Sequence, residues 1–174
     1  MPPRLYHVSE ESDIAVFCPR KPERGDLRDS PPLVWAIEED CLPNYLLPRE
    51  CPRVCYHATE TTTGQDRAAH LSSAANHVVA IEHRWFARLR AATLYLYEFA
   101  PADFVPQDET AGYYVSETAQ KPMANREIKD IPAELFRRGV ELRVLPELFT
   151  LRRKIIGSSF AWSMIRMRNA AAES

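Results

Sequence analysis

His7 and Ser9 close a short apolar run, Leu5-Tyr6-His7-Val8-Ser9, and Arg20 follows soon after behind Pro19. An imidazole titrates near neutral pH and can move a proton. A guanidinium presents a planar fork of donors that fits phosphate or carboxylate. Arg49 and Arg53 also adjoin prolines, where a stiff backbone can aim a side chain. Trp35, Tyr45 and Tyr114 supply flat rings, and Glu117 stands just past Tyr113-Tyr114-Val115-Ser116. These residue types suit a cleft for a small phosphate-bearing, nucleotide-like molecule, with stacking for its ring and arginines for its anion. In that reading His7 and Glu117 are catalytic, while Ser9, Arg20, Trp35, Tyr45, Arg49, Arg53 and Tyr114 bind. A second reading uses the same residues in a non-catalytic binding or interaction protein, its arginines engaged in internal ion pairs.

Several chemistries are excluded by what the chain lacks. Its five glycines stand singly, so neither a dinucleotide-binding fingerprint nor a phosphate-cradling P-loop can form. There is no Gly-x-Ser-x-Gly elbow and no His-Glu-x-x-His helix. Cys51, Cys55 and His57 suggest a metal at first sight. On a strand, however, Cys51 and Cys55 would lie about 13 Å apart and could not share one zinc ion. They read instead as buried, reduced thiols, and no metal is expected. Arg152, Arg153, Lys154, Arg166 and Arg168 form an acid-free basic stretch, which reads as the solvated face of a helix rather than as a nucleic-acid interface.

Positioning those groups requires a fold. At 174 residues the chain reads as one domain, 1–174, with a sizeable core. No apolar run approaches the length of a membrane span, and the amino terminus has no secretory h-region, so the expectation is a cytoplasmic protein without a membrane partner. A net charge of −2 gives no global pull toward nucleic acid. Basic residues are 18 Arg against 4 Lys, a bias that anion binding or a GC-rich genome would each produce.

Strands are expected over 4–8, 54–58, 77–82, 93–99, 113–116 and 140–144, with a buried strand or the start of a helix at 33–37 and a short strand or turn at 14–17. Residues 19–32 and 43–52, rich in proline, read as loops. Thr62 with Gln65 predicts a capped helix to about residue 75, and a second short helix is expected over 84–91. Asp130, Pro132 and Gly139 bracket a third. Leu148, Leu151, Ile155, Trp162 and Ile165 have the spacing of a C-terminal amphipathic helix, with a break at Gly157-Ser158-Ser159. The sum is an α+β protein with a mixed or antiparallel sheet of six to seven strands.

Two resemblances add to this. Leu5-Tyr6-His7-Val8-Ser9 resembles the first strand of the ADP-ribosyltransferase-like superfamily, which includes the RNA 2′-phosphotransferases. That resemblance implies His7 at a nucleotide ribose, Trp35 or Tyr45 at the nicotinamide of NAD, and Glu117 or Glu127 on a ribose hydroxyl. Over nearly the whole chain, a second pattern is similar to a bacterial family of unknown function. It comprises Leu5 to Glu11, Phe17-x-Pro19-Arg20, Asn44 to Val54, Gly112 to Ser116 and Ile165 to Ala170.

Overall fold

Short apolar runs make up most of the expected strands, and in the computed structural model they pair into two sheets. The structure describes residues 2–22, 29–72, 74–108 and 111–172. The strands are β1 Leu5–Ser9, β2 Val34–Glu38, β3 Arg53–His57, β4 His77–Glu82, β5 Leu94–Phe99, β6 Val105–Asp108, β7 Tyr113–Ser116, β8 Ala124–Ile128, β9 Val140–Leu145 and β10 Ala161–Ile165. The helices are α1 Gly64–His70, α2 His83–Ala91, α3 Ile131–Arg137 and α4 Phe149–Ile156. The chain divides into two compact units, Met1–Leu42 with Leu94–Ile128, and Pro43–Thr93 with Lys129–Ser174.

The first unit holds a six-stranded antiparallel sheet in the order β6-β7-β2-β1-β5-β8. Side chains two apart share a face. Leu5, Val34, Ala36, Phe99 and Phe104 pack together on one face, with Phe17 and Tyr114 against them. The short strand or turn expected at 14–17 contributes a single bridge, Phe17 with Gln120. Residues 23–28 of the expected 19–32 loop lie outside the described residues, and Arg20 bridges Leu33 beside them.

The second unit holds a four-stranded mixed sheet, β10-β3-β4-β9, in which only β4 and β9 run parallel. Val54, Tyr56, Val78, Ala80, Leu148, Ile155 and Phe160 form its core on one face. The α+β class therefore holds, with ten strands in two sheets.

Three local expectations shift. The cap of α1 is Thr63, not Thr62: its hydroxyl accepts from the Asp66 amide at 3.1 Å, and the helix ends at His70 rather than near 75. Thr62 instead accepts from the Thr59 amide at 2.8 Å. The C-terminal amphipathic helix stops at Ile156. Beyond it, Ala161–Ile165 pairs along the full length of β3, so Trp162 and Met164 follow a strand period beside Tyr56 and Val54. Five ladder pairs with β3 fix the backbone here as extended, and tertiary pairing overrides the helical spacing. The third expected helix forms as read: Asp130 accepts from the Ala133 amide at 3.0 Å, and Gly139 follows at φ +70.

Gly112 shows where side-chain volume is forbidden. It has φ +67, and a Cβ there would lie 2.6 Å from Cys41 Cβ. Gly112→Ala should lower stability by roughly 2–4 kcal/mol, combining left-handed strain with overpacking. A urea titration of the variant against the wild type reads this directly.

Candidate functional site

Register in the first unit decides which expected residues meet. His7 lies opposite Tyr97, and Ala36 lies opposite Tyr114. Continuing the β1–β2 register by one residue brings His7 beside Ala36, giving a cross-strand row Tyr114–Ala36–His7–Tyr97 on one face. The β1–β2 ladder has two pairs, Leu5 with Glu38 and Tyr6 with Ile37. Where it stops, the His7 ring reaches the Trp35 carbonyl, with Nδ1 at 3.0 Å. A carbonyl only accepts, so Nδ1 carries the proton, and in the neutral ring Nε2 holds the lone pair.

A strap formed by residues 10–20 covers this face. The Tyr97 hydroxyl donates to the Glu11 carbonyl at 2.8 Å and accepts from the Ile14 amide at 3.1 Å. Phe17 packs its ring 4.8 Å from His7, 5.1 Å from Tyr97 and 5.0 Å from Phe99, centroid to centroid. Its backbone exchanges two hydrogen bonds with Gln120, at 2.8 and 2.9 Å. Gln120 is itself held, its amide donating at 2.9 Å to both the Ser116 and Thr118 hydroxyls. Phe17, Tyr97, Ser116 and Gln120 are thus parts of the site that sequence reading did not single out. The Tyr95, Tyr97, Phe99 alternation in β5 was the available signal for one of them.

The antiparallel register gathers several expected residues at one end of the sheet. Ser9 lies opposite Tyr95, and Val34 opposite Ser116. Ser9 shares the His7 face, and its hydroxyl accepts from the Glu11 amide at 3.0 Å. Arg20 is exposed and held here by its two backbone bonds to Leu33, 3.0 and 2.9 Å, while exposed Glu117 follows Ser116. Glu127 pairs with Tyr95, whose hydroxyl lies 3.4 Å from its carboxylate.

Trp35 does not join them. It points to the opposite face, edge-on to Tyr113 at 5.2 Å, and meets His7 only through its carbonyl. Of the three aromatic candidates, Tyr114 alone shares the His7 face.

Tyr45, Arg49 and Arg53 belong to the second unit. Arg53 is 2% exposed. Its Nε donates to the Cys51 carbonyl at 2.9 Å, Nη1 to Asn44 at 3.2 Å, and Nη2 to Pro48 and Arg49 at 3.3 and 3.2 Å. Burial lowers its pKa, yet a guanidinium stays charged. The group therefore fastens the 44–51 turn rather than facing a solvent-borne anion. Arg49 is exposed on that turn.

Burial also pushes the Cys51 thiol to about 11 and Cys55 to about 12, and in the first unit it pushes Cys41 to about 11. None is a thiolate at neutral pH. Among the described residues no three His, Cys, Asp or Glu side chains gather as a metal site requires.

A polar pair near Arg53 was not anticipated. His77 Nε2 lies 2.7 Å from the Asn44 side-chain oxygen, and its ring lies 5.2 Å from that of His57 across the β3–β4 pair. Burial, and then the neighbouring His57, lower the His77 pKa to about 4.

The chain belongs to a family of unknown function (DUF6886), matched over residues 6–170. No curated protein and no solved structure matches it.

Two outcomes follow for the second unit. Arg53→Met should cost about 3 kcal/mol in denaturant unfolding, because buried carbonyls lose their donors. His77 binds its proton more weakly folded than unfolded, so its contribution is complete above about pH 6.5 and declines as pH falls toward 4. Between pH 7.5 and 4.5 the wild type should lose about 2–3 kcal/mol through this group. Urea titrations at the two pH values should show a correspondingly smaller loss in His77→Gln.

Proposed function

We propose that this member of a family of unknown function binds a small phosphate-bearing, nucleotide-like molecule at the His7 end of its six-stranded sheet. The observation that carries the reading is the His7 Nδ1 contact with the Trp35 carbonyl under the Phe17 ring. It fixes ring orientation and tautomer, leaving Nε2 as the proton-accepting atom, as a group that meets a ligand hydroxyl requires. Arg20 is the anion-pairing group at this end, and Ser9 and Tyr114 flank His7. In this reading the donors of Arg53 serve the chain's own carbonyls rather than the ligand, and Trp35 contributes its carbonyl rather than its ring.

If the ligand is NAD and the protein transfers ADP-ribose, the glycosidic bond to nicotinamide breaks and its electron pair leaves with nicotinamide. The acceptor oxygen then bonds to the anomeric carbon and gives up its proton. A carboxylate at this end, Glu117 or Glu127, would orient a ribose hydroxyl and favour the developing positive charge. The alternative, a non-catalytic binding or interaction protein, draws support from Arg53, whose donors serve the chain's own carbonyls.

A thermal-shift series with NAD, ADP-ribose, nucleoside monophosphates and inorganic phosphate tests the reading. A ligand at about a hundred times its Kd should raise Tm by roughly 5–10 °C. His7→Ala and Arg20→Ala should each remove the shift at that concentration, while Arg49→Ala keeps it. No shift with any nucleotide, or a shift that survives both substitutions, rejects the site. Nicotinamide release from NAD, lost in Glu117→Gln or Glu127→Gln, separates the transferase from a binding protein.

A further inference from the structure

The acid-free basic stretch at the C-terminus is divided by the fold. Arg152, Arg153 and Lys154 lie on α4, whereas Arg166 and Arg168 lie past β10 in a short turn, Met167–Asn169. That turn is fastened to two other parts of the second unit. Asn169 donates through Nδ2 to the Glu50 carbonyl at 2.7 Å and to its carboxylate at 2.9 Å. The Asn169 carbonyl accepts from Arg84 Nη2 at 2.6 Å, and the Ala171 amide donates to Glu82 at 2.8 Å. Arg84 opens α2, a helix that contains Arg84, Arg88, Arg90 and His83 and no acid.

Arg84 and Arg88, four apart, share one helix face while Leu89 buries the helix. Arg88 lies over the Trp85 ring at 5.3 Å. Arg166 and Arg168 flank Glu50 at 3.6 and 3.4 Å, and Arg49 precedes it. Four arginines thus stand around two carboxylates, Arg84 at Glu82 and Arg49, Arg166 and Arg168 at Glu50, with Arg88 one turn along α2 from Arg84; Glu82 is wholly buried. Arg168 and Arg84 are 63% and 47% exposed, so the positive charge faces solvent on a protein whose net charge is −2.

We propose that α2, the Arg49–Glu50 turn and the Arg166–Asn169 turn together form a surface that binds the phosphate backbone of a single-stranded nucleic acid. The charge is local and complementary to phosphates spaced along a strand, and guanidinium forks match phosphate oxygens. Arg88 over the Trp85 ring puts a cation beside an aromatic side chain that an unstacked base can approach, whereas a duplex keeps its bases within its own stack. The sequence reading did not expect a nucleic-acid partner. Arg166 and Arg168 then belonged to a C-terminal helix, and their neighbours on α2 lie some eighty residues away in the chain.

Fluorescence anisotropy of the full chain with a labelled mixed-sequence 12-nucleotide RNA tests this. With four phosphates neutralised, affinity should fall about 50-fold between 50 and 200 mM salt. Arg88→Glu with Arg168→Glu should weaken binding at least about tenfold at 50 mM salt, with the circular dichroism spectrum unchanged. Lys154→Glu, on α4, should leave it intact. If the double variant does not fold, Arg49→Glu alone provides the reading, with a loss of about threefold or more. Absence of binding at 50 mM salt, an undiminished affinity in the folded arginine variants, or equal loss in Lys154→Glu overturns the proposal. So does equal competition by duplex DNA or heparin, which would mark a general polyanion contact instead.

Discussion

A guanidinium held away from water keeps its charge, so the chain around Arg53 must bring oxygens to its N–H groups. It does so with four backbone carbonyls, those of Asn44, Pro48, Arg49 and Cys51. The segment that supplies them contains Pro43, Pro48 and Pro52, which deny it a regular helix or ladder. Its carbonyls have few amide partners and are collected by one side chain. Two further polar links of the second unit start from that turn. Asn44 gives its backbone carbonyl to Arg53 and its side-chain oxygen to His77. Glu50 receives the Asn169 side chain from the same fixed stretch, and through it the C-terminal turn reaches Arg84.

The first unit answers a smaller version of the same problem. The β1–β2 ladder ends after Tyr6, and the Trp35 carbonyl beyond it is met by an imidazole rather than by an amide. A strand-end side chain thereby takes the place of a ladder partner for that carbonyl. His7 cannot rotate without giving up that bond, and the Phe17 ring above it is fixed by Gln120, whose side chain is fixed in turn by Ser116 and Thr118. The strap's grip is modest elsewhere: most of residues 10–20 are exposed, and Asp13 sits in left-handed backbone at φ +58. Ring packing and the two hydrogen bonds of the Tyr97 hydroxyl, rather than burial of the strap itself, hold the strap against the half-buried His7 ring.

Much of the fold was legible because strand alternation and helix caps are local. β4 and β7 fall where the pattern placed them, and Asp130 and Gly139 bound α3 as their chemistry demands. What was not legible depended on partners distant in sequence. β8, Ala124–Ile128, is polar and exposed along most of its length and is a strand because β5 pairs with it. β10 has a helical spacing that the β3 ladder overrules. The site was legible in part for the same reason. His7 and Ser9 were visible at a strand end, but the parity that turns Trp35 away and Tyr114 toward His7 is a matter of register, which no single strand encodes. Arg53 looked like a ligand group because a proline precedes it. Only burial distinguishes an arginine that gathers carbonyls from one that meets an anion.

That distinction gives meaning to the excess of arginine over lysine, which composition leaves undecided. A lysine at position 53 would bring a compact ammonium with three donors, unable to span the four carbonyls that a planar fork reaches at once. Arg84 uses the same fork differently, with Nε on the buried carboxylate of Glu82 and Nη2 on the Asn169 carbonyl, so that one residue neutralises an acid and ties down a chain end. Arg138 repeats the carboxylate part of this on the almost fully buried Glu134. In each case directional, multiple donation is the property in use, and charge alone would not suffice. Arginine is therefore structural in the interior, whatever the origin of the bias. The arginines on which function can rest are exposed ones: Arg20 at the His7 end of the six-stranded sheet, and Arg49, Arg88 and Arg168 in the second unit.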